Sequence, residues 1–221
     1  MTAKLKPLLW AAVFLAVLVC RPSIALAGEP VIDPTEGDVT FAGSEGVSAL
    51  ATKWVGVVTC ETIDATGTVN AGGKSGSLAL DMTGCHLVVM GFTNPCHSSS
   101  APLSNTIKLA GSFETTYLTD DKTKPGIKFT IATTRIMCLG GEATLSGSVL
   151  GTLSSPACGV QASKGTIKFA TEGPELQQHR QITGTGPSIT LTSTGGENQV
   201  PGALDLDLAI GFSKEVKITC V

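Results

Sequence analysis

Charge is scarce in this sequence, and basic charge is the scarcer sign. Charged residues are 15% of the 221, with 15 Lys and Arg against 18 Asp and Glu, and no stretch clusters Lys with Arg. Nucleic-acid phosphates require such clusters, so a nucleic-acid partner is disfavoured. Histidine is confined to His86, His97 and His179, and no Gly-x-Ser-x-Gly elbow occurs. Phosphate-binding loops are missing too. Gly73-Lys74-Ser75-Gly76 falls in a predicted hairpin turn, and Gly184-Thr185-Gly186-Pro187 is followed by no helix. Beyond the first thirty residues no apolar run can span a bilayer, because the segment Leu204 to Phe212 is interrupted by Asp205 and Asp207. Paired Glu and Lys faces of the kind that mark surface helices are few. What remains is a chain rich in Gly, Thr and Ser, the composition of short strands and turns.

The first residues point to export. Lys4 and Lys6 precede an unbroken apolar run of 13 residues, Leu8 to Cys20, then Arg21-Pro22 and the small-x-small signal Ala25-Leu26-Ala27. That order is a secretory signal peptide, and the run is shorter than the roughly 20 residues of a membrane anchor. Val19 before Cys20 does not suit a lipoprotein signal, so Cys20 reads as part of the apolar run. Cleavage after Ala27 is expected to leave 194 residues, with 12 basic against 18 acidic side chains. Residues 28–37, with two prolines, read as an extended lead-in, and 38–221 as a single domain with one substantial core. The expected location is extracellular.

Six cysteines then remain: Cys60, Cys85, Cys96, Cys138, Cys158 and Cys220. An even number in an oxidising compartment implies disulfides. A hairpin turning at Gly72-Gly73 pairs residues whose numbers sum to 145, which sets Cys60 opposite Cys85. A bulge near Gly67 would shift that register, and Cys85 with Cys96 is the rival pair. If Cys60 joins Cys85, Cys96 is expected to pair with Cys138, and Cys158 with Cys220.

Short alternating segments recur: Val39–Phe41, Trp54–Cys60, Gly76–Met82, Thr106–Leu118, Ile127–Ile131, Ala143–Leu150, Thr166–Thr171, Ser188–Ser193, Leu204–Phe212 and Glu215–Cys220. About ten strands at this spacing predict an all-β fold, an antiparallel β-sandwich or distorted β-barrel linked by disulfides. Pro174–Gln181 is a weak helical candidate. Cys85-His86 and Cys96-His97 contain zinc-ligand types, but oxidised cysteines cannot ligate, so disulfides with incidental histidines are preferred. Asp205 and Asp207 share one face of a strand, about 7 Å apart, as a wet face alternating with leucine. Asp120-Asp121 reads as a solvated turn, Ser98-Ser99-Ser100 as a loop, and Trp54 as core. No catalytic residue, cofactor or metal site is assigned.

Val58-Thr59-Cys60, Thr83-Gly84-Cys85, Cys96, Ile107 to Phe113, Cys138 and Leu145 to Gly151 together give a resemblance. Over about residues 55 to 220 the chain resembles a group of uncharacterised secreted, cysteine-containing β-rich proteins common in actinobacteria. The resemblance implies export and a disulfide-linked β fold, and no activity. The histidines after Cys85 and Cys96 depart from that pattern. The expected function is non-enzymatic, binding or structural at the cell exterior. A carrier of a small apolar ligand is the first alternative, and a secreted hydrolase the second.

Overall fold

A computed structural model describes residues 28–34, 38–52, 55–101, 105–118, 124–139, 141–154, 157–173, 176–177, 191–195 and 198–220, with backbone alone between 171 and 201. Its described regular structure is all β. The first half of the chain forms β1 (Val31–Asp33), β2 (Val39–Glu45), β3 (Ser48–Thr52), β4 (Gly56–Cys60), β5 (Thr62–Val69), β6 (Ser75–Thr83), β7 (His86–Val89) and β8 (Phe92–Ser98). The second half forms β9 (Ile107–Tyr117), β10 (Pro125–Cys138), β11 (Gly141–Ser154), β12 (Gln161–Phe169), β13 (Thr171–Gly173), β14 (Leu176–Gln177), β15 (Leu191–Gly195) and β16 (Asn198–Thr219).

The ladders between these strands are antiparallel and close twice. One ring runs β2-β5-β6-β9-β10-β11-β12-β16 and returns to β2. A second runs β3-β4-β7-β8-β10-β11-β15-β16 and returns to β3. Each ring takes its strands in chain order, as an up-and-down barrel does. The long strands β10, β11 and β16 pass through both. β10 gives Pro125–Ile131 to the first ring, beside β9, and Ile136–Cys138 to the second, beside β8. Between them the β10–β11 register shifts from Ile131↔Gly147 to Thr134↔Leu145, and Gly147 has φ 114°. A bulge with glycine at its hinge bends both strands from one ring into the next. The barrel arm of the expectation therefore holds, in a doubled form.

The first ring is filled by its own side chains. Strands alternate, as in Gly76, Leu78, Leu80 and Met82 of β6 and Leu204, Leu206, Leu208 and Ile210 of β16, all buried. Between the latter, Asp205, Asp207 and Ala209 face out. Apolar-in and polar-out is the reverse of a lipid-embedded barrel. Three inward phenylalanines sit opposite glycines. Phe41 pairs with Gly67, Phe113 with Gly76, and the β11–β12 register sets Phe169 opposite Gly151. A Cβ on these glycines would meet the facing ring at 2.2, 2.5 and 2.8 Å, so each glycine makes the space its phenylalanine fills. Phe41 also packs on Phe113 and Phe212, and Phe129 on Phe169, with centroids 6.1 Å apart in each pair. Each such buried side chain contributes roughly 1.5–3 kcal/mol. The enclosed space left among Phe41, Val69, Phe113, Ile127, Ile167 and Phe212 is about 10 Å³, room for one water at most.

Three disulfides tie the rings: Cys60–Cys85, Cys96–Cys138 and Cys158–Cys220. The β5–β6 hairpin pairs Val69 with Gly76 and Thr62 with Thr83, the register summing to 145 that carries Cys60 to Cys85. Cys96 and Cys138 are direct neighbours on β8 and β10. Cys158–Cys220 anchors the end of β16 beside the Cys158↔Ile218 bridge. Within the lead-in Val31–Asp33 is a strand, β1, which pairs with Lys217–Thr219. The helical candidate at 174–181 is corrected where it is described. Leu176–Gln177 is extended and pairs with β13, as a short polar segment without an apolar face would.

Candidate interaction surface

At the end of the second ring remote from the first lie the strand ends that four connections join: β3 to β4, β7 to β8, β10 to β11 and β15 to β16. The registers require it. Thr52 pairs with Gly202 while Ala49 pairs with Asp205, and Cys96 pairs with Cys138 while Ser98 pairs with Ile136. The strand ends nearest these connections therefore point away from the first ring.

Exposed apolar side chains gather there. Among the described residues eight large apolar side chains are exposed, and six belong to this end: Val57 (45%), Val88 (60%), Val89 (44%), Met90 (95%), Phe92 (74%) and Leu139 (74%). Single exposed apolar residues are ordinary, but their concentration in one place is not. The β7–β8 hairpin places four of them. Its ladder runs Leu87↔Asn94, Val88↔Thr93 and Val89↔Phe92, and turns on Met90-Gly91. Leu87 is buried within the ring, and Val88, Val89 and Met90 beyond it are exposed. The β4–β7 ladder holds only Val58↔Leu87 and Thr59↔His86. Past that point the strands part and leave an open groove of about 610 Å³ lined by Val55, Val57, Leu87, Val88, Val89 and Met90.

Both turn residues are left-handed, Met90 at φ 50° and Gly91 at φ 82°. Two left-handed residues make the tight turn that suits the twist of a hairpin, and its first position favours Asn, Asp or Gly. No ionisable side chain lies between Leu87 and Pro95 or between Val55 and Thr59. On the β10–β11 wall Arg135 forms an ion pair with Glu142, the residue opposite Met137 in the ladder. The hydrogen bond from Arg135, and then its charge, hold the Glu142 carboxyl below its ordinary value.

The residues singled out in the sequence lie elsewhere or are accounted for. All six cysteines are in disulfides. The His86 ring Nδ1 is 3.0 Å from the Gly84 carbonyl, and His97 is half-buried on β8. Among the described residues no group of three or more His, Cys, Asp or Glu could hold a metal ion. Asp207 accepts from Lys168 Nζ at 3.1 Å across the outer wall, and Asp205 faces outward with it. Gly73 to Gly76 close the β5–β6 hairpin. Ser98 is buried, with its Oγ 2.9 Å from Ser100 Oγ and accepting from the Lys108 amide at 3.1 Å, so it is a structural corner rather than a loose loop. Trp54, Asp120, Asp121, His179 and Gly184 to Pro187 lie outside the described residues.

A broader groove of about 780 Å³ crosses the outer wall of the first ring, lined by Thr40, Thr66, Thr68, Ser77, Ala79 and Ala110 among others. Phe41, Leu78 and Phe212 line it beside these small side chains, and neither His86 nor His97 does. Among the described residues no helix is long and apolar enough to cross a membrane. No family model matches the chain, and no curated protein or solved structure matches it either.

Proposed function

We propose that this chain is an exported, non-enzymatic β-protein that binds at the cell exterior through the apolar end of its second ring. The observation that carries the reading is the gathering of Val57, Val88, Val89, Met90, Phe92 and Leu139 at that end, six of the eight large apolar side chains exposed among the described residues. Apolar patches of this kind mark interaction sites. Export is supported by the charged, apolar and small-residue order of residues 4–27, and by three disulfides, which form and persist in oxidising compartments. The resemblance to secreted β-rich actinobacterial proteins belongs to the same reading. A carrier of a small apolar ligand needs an interior of several hundred Å³, and the enclosed space of about 10 Å³ in the first ring favours the surface reading instead.

The test is sedimentation of the mature protein with cell envelopes from the producing organism. Saturable binding that falls in the double variant Met90→Asn, Phe92→Thr is the expected result. Equal binding by the variant, or none by the wild type, would refute the reading.

A further inference from the structure

We propose that Cys60, Cys85, Cys96 and Cys138 form a thiol–disulfide exchange relay that, under a reducing dithiol, unties the β7–β8 hairpin from the strands on either side of it. The registers carry the argument. Val58 pairs with Leu87 and Thr59 with His86, so Cys60 comes next, opposite Cys85. His86 pairs with Pro95, so Cys85 comes opposite Cys96, whose N–H donates to the Cys85 carbonyl at 2.9 Å. Cys96 in turn pairs with Cys138. The four cysteines thus form one row across β4, β7, β8 and β10. All four are buried, so their side chains share the inner face of the ring.

The row holds two bridges side by side, Cys60–Cys85 with Cα atoms 4.0 Å apart and Cys96–Cys138 with Cα atoms 4.2 Å apart. Between the bridges, Cys85 and Cys96 take the hydrogen-bonded spacing of an antiparallel ladder, with Cα atoms about 5.5 Å apart. A disulfide spans about 4.4–6.8 Å between Cα atoms. A Cys85–Cys96 bridge therefore fits the sheet as it stands, and a thiolate at either of these positions has the neighbouring bridge within reach. Access sets the order of events. Cys138 is the most exposed of the four, and it ends β10 beside exposed Leu139. One thiolate of the dithiol attacks Cys138 Sγ, and Cys96 leaves as a thiolate. The second thiol of the reductant then closes it into a disulfide and frees Cys138 as a thiol. Cys96 Sγ attacks Cys85 Sγ, the Cys85–Cys96 bond forms, and Cys60 leaves as a thiolate and takes a proton. Two electrons and two protons have passed from the dithiol to the chain.

The consequence is mechanical. At rest the bridges tie β7 to β4 and β8 to β10, where the ladders are short: Val58↔Leu87 and Thr59↔His86 on one side, Cys96↔Cys138 to Ser98↔Ile136 on the other. After exchange the bridge joins β7 to β8. The hairpin that carries Val88, Val89, Met90 and Phe92 then has no covalent tie to β4 or β10. Control of binding through this hairpin rests on the binding reading above, whereas the exchange itself stands on the cysteine row.

The test is a time course of the mature protein, disulfides formed, in excess dithiothreitol under native conditions. Samples are quenched in acid, labelled there with N-ethylmaleimide in denaturant, and mapped by mass spectrometry. Reduction of Cys158–Cys220 is followed separately by its own labels. The first species to lose a bridge from the row is expected to carry label on Cys60 and Cys138, with Cys85 joined to Cys96. While that species dominates, amide exchange at Val88–Phe92 should be faster than in the untreated protein. Label on Cys96 with Cys138, or on Cys60 with Cys85, the other bridge intact, would overturn the relay. So would loss of both bridges together, or unchanged amide exchange at the hairpin. The double variant Cys60→Ala, Cys138→Ala should form the Cys85–Cys96 bridge, and a folded variant with two free thiols there would overturn the same inference. If that variant does not fold, the time course decides alone. Envelope binding enters none of these readouts, so failure of the binding reading leaves the test of the relay standing.

Discussion

Replacing the disulfides one at a time with alanine pairs should rank them by burial and not by loop length. Cys60–Cys85 closes 25 residues and Cys158–Cys220 closes 62. Chain entropy alone gives about 3.5 kcal/mol for the first and about 4.3 kcal/mol for the second. The logarithm compresses a more than twofold difference in length to about 0.8 kcal/mol. Burial opposes that order. Cys60 and Cys85 are fully buried in the core cluster, whereas Cys158 is exposed and Cys220 only half-buried. Truncating two buried side chains removes about 1 kcal/mol of transfer energy each and leaves a cavity besides. Cys60→Ala, Cys85→Ala should therefore cost about 5–6 kcal/mol, and Cys158→Ala, Cys220→Ala about 4 kcal/mol. Guanidinium unfolding of both variants beside wild type measures the difference, with the m-values reporting whether the unfolded chain has expanded. A Cys158–Cys220 variant less stable than the Cys60–Cys85 variant would refute the burial argument.

Gly67→Ala would set a Cβ 2.2 Å from the Phe41 ring and 2.4 Å from the Ser77 carbonyl oxygen, and the backbone atom cannot swing aside. It should destabilise by about 2–3 kcal/mol in urea unfolding. Phe129→Ala, which removes a fully buried ring packed on Phe169, should cost about 3–5 kcal/mol by the same assay. Met90→Asn should instead stabilise the fold by roughly 0.5–1 kcal/mol, because asparagine accepts the left-handed turn, while binding falls; calorimetry paired with the envelope assay reads both. The carboxyl of Glu142 is depressed by the hydrogen bond from Arg135, so its stabilisation is complete above the ordinary carboxylate range and is lost as pH falls through the lowered value. Glu142→Gln should thus differ from wild type at neutral pH, by little because the pair is exposed, and converge with it in acid, as followed by denaturant midpoints.

Much of the fold is legible where alternation is clean. Ile107, Leu109 and Phe113 against Lys108, Ala110 and Ser112 give β9 its inward and outward faces, and Gly72-Gly73 sets the register that brings Cys60 to Cys85. What hides is long-range. Leu204–Phe212 and Glu215–Cys220 look like two strands because Ser213-Lys214 is polar, yet the backbone stays extended and one strand, β16, serves both rings. Closure has no local signature, since β2 meets β16 through only Phe41, Ala42 and Gly43. The apolar end hides for a different reason. Leu87-Val88-Val89-Met90-Gly91-Phe92 does not alternate, Met-Gly is not a strong turn signal, and Pro95 reads as a loop, so neither β7 nor β8 announces itself. An apolar run on both sides of a glycine was the available clue. Only the ladder, which ends at Leu87 on one side while the hairpin continues, separates an exposed tip from a buried strand.

Amide hydrogen exchange of the mature protein, with and without envelopes from the producing organism, tests most directly whether the end of the second ring is the binding face. Slowed exchange confined to Val88–Phe92 and to Gly56–Val57 at the adjoining end of β4 is the predicted result. Protection centred instead on Thr66–Thr68 and Ser77–Ala79 along the outer groove of the first ring, with the hairpin tip unchanged, would contradict it.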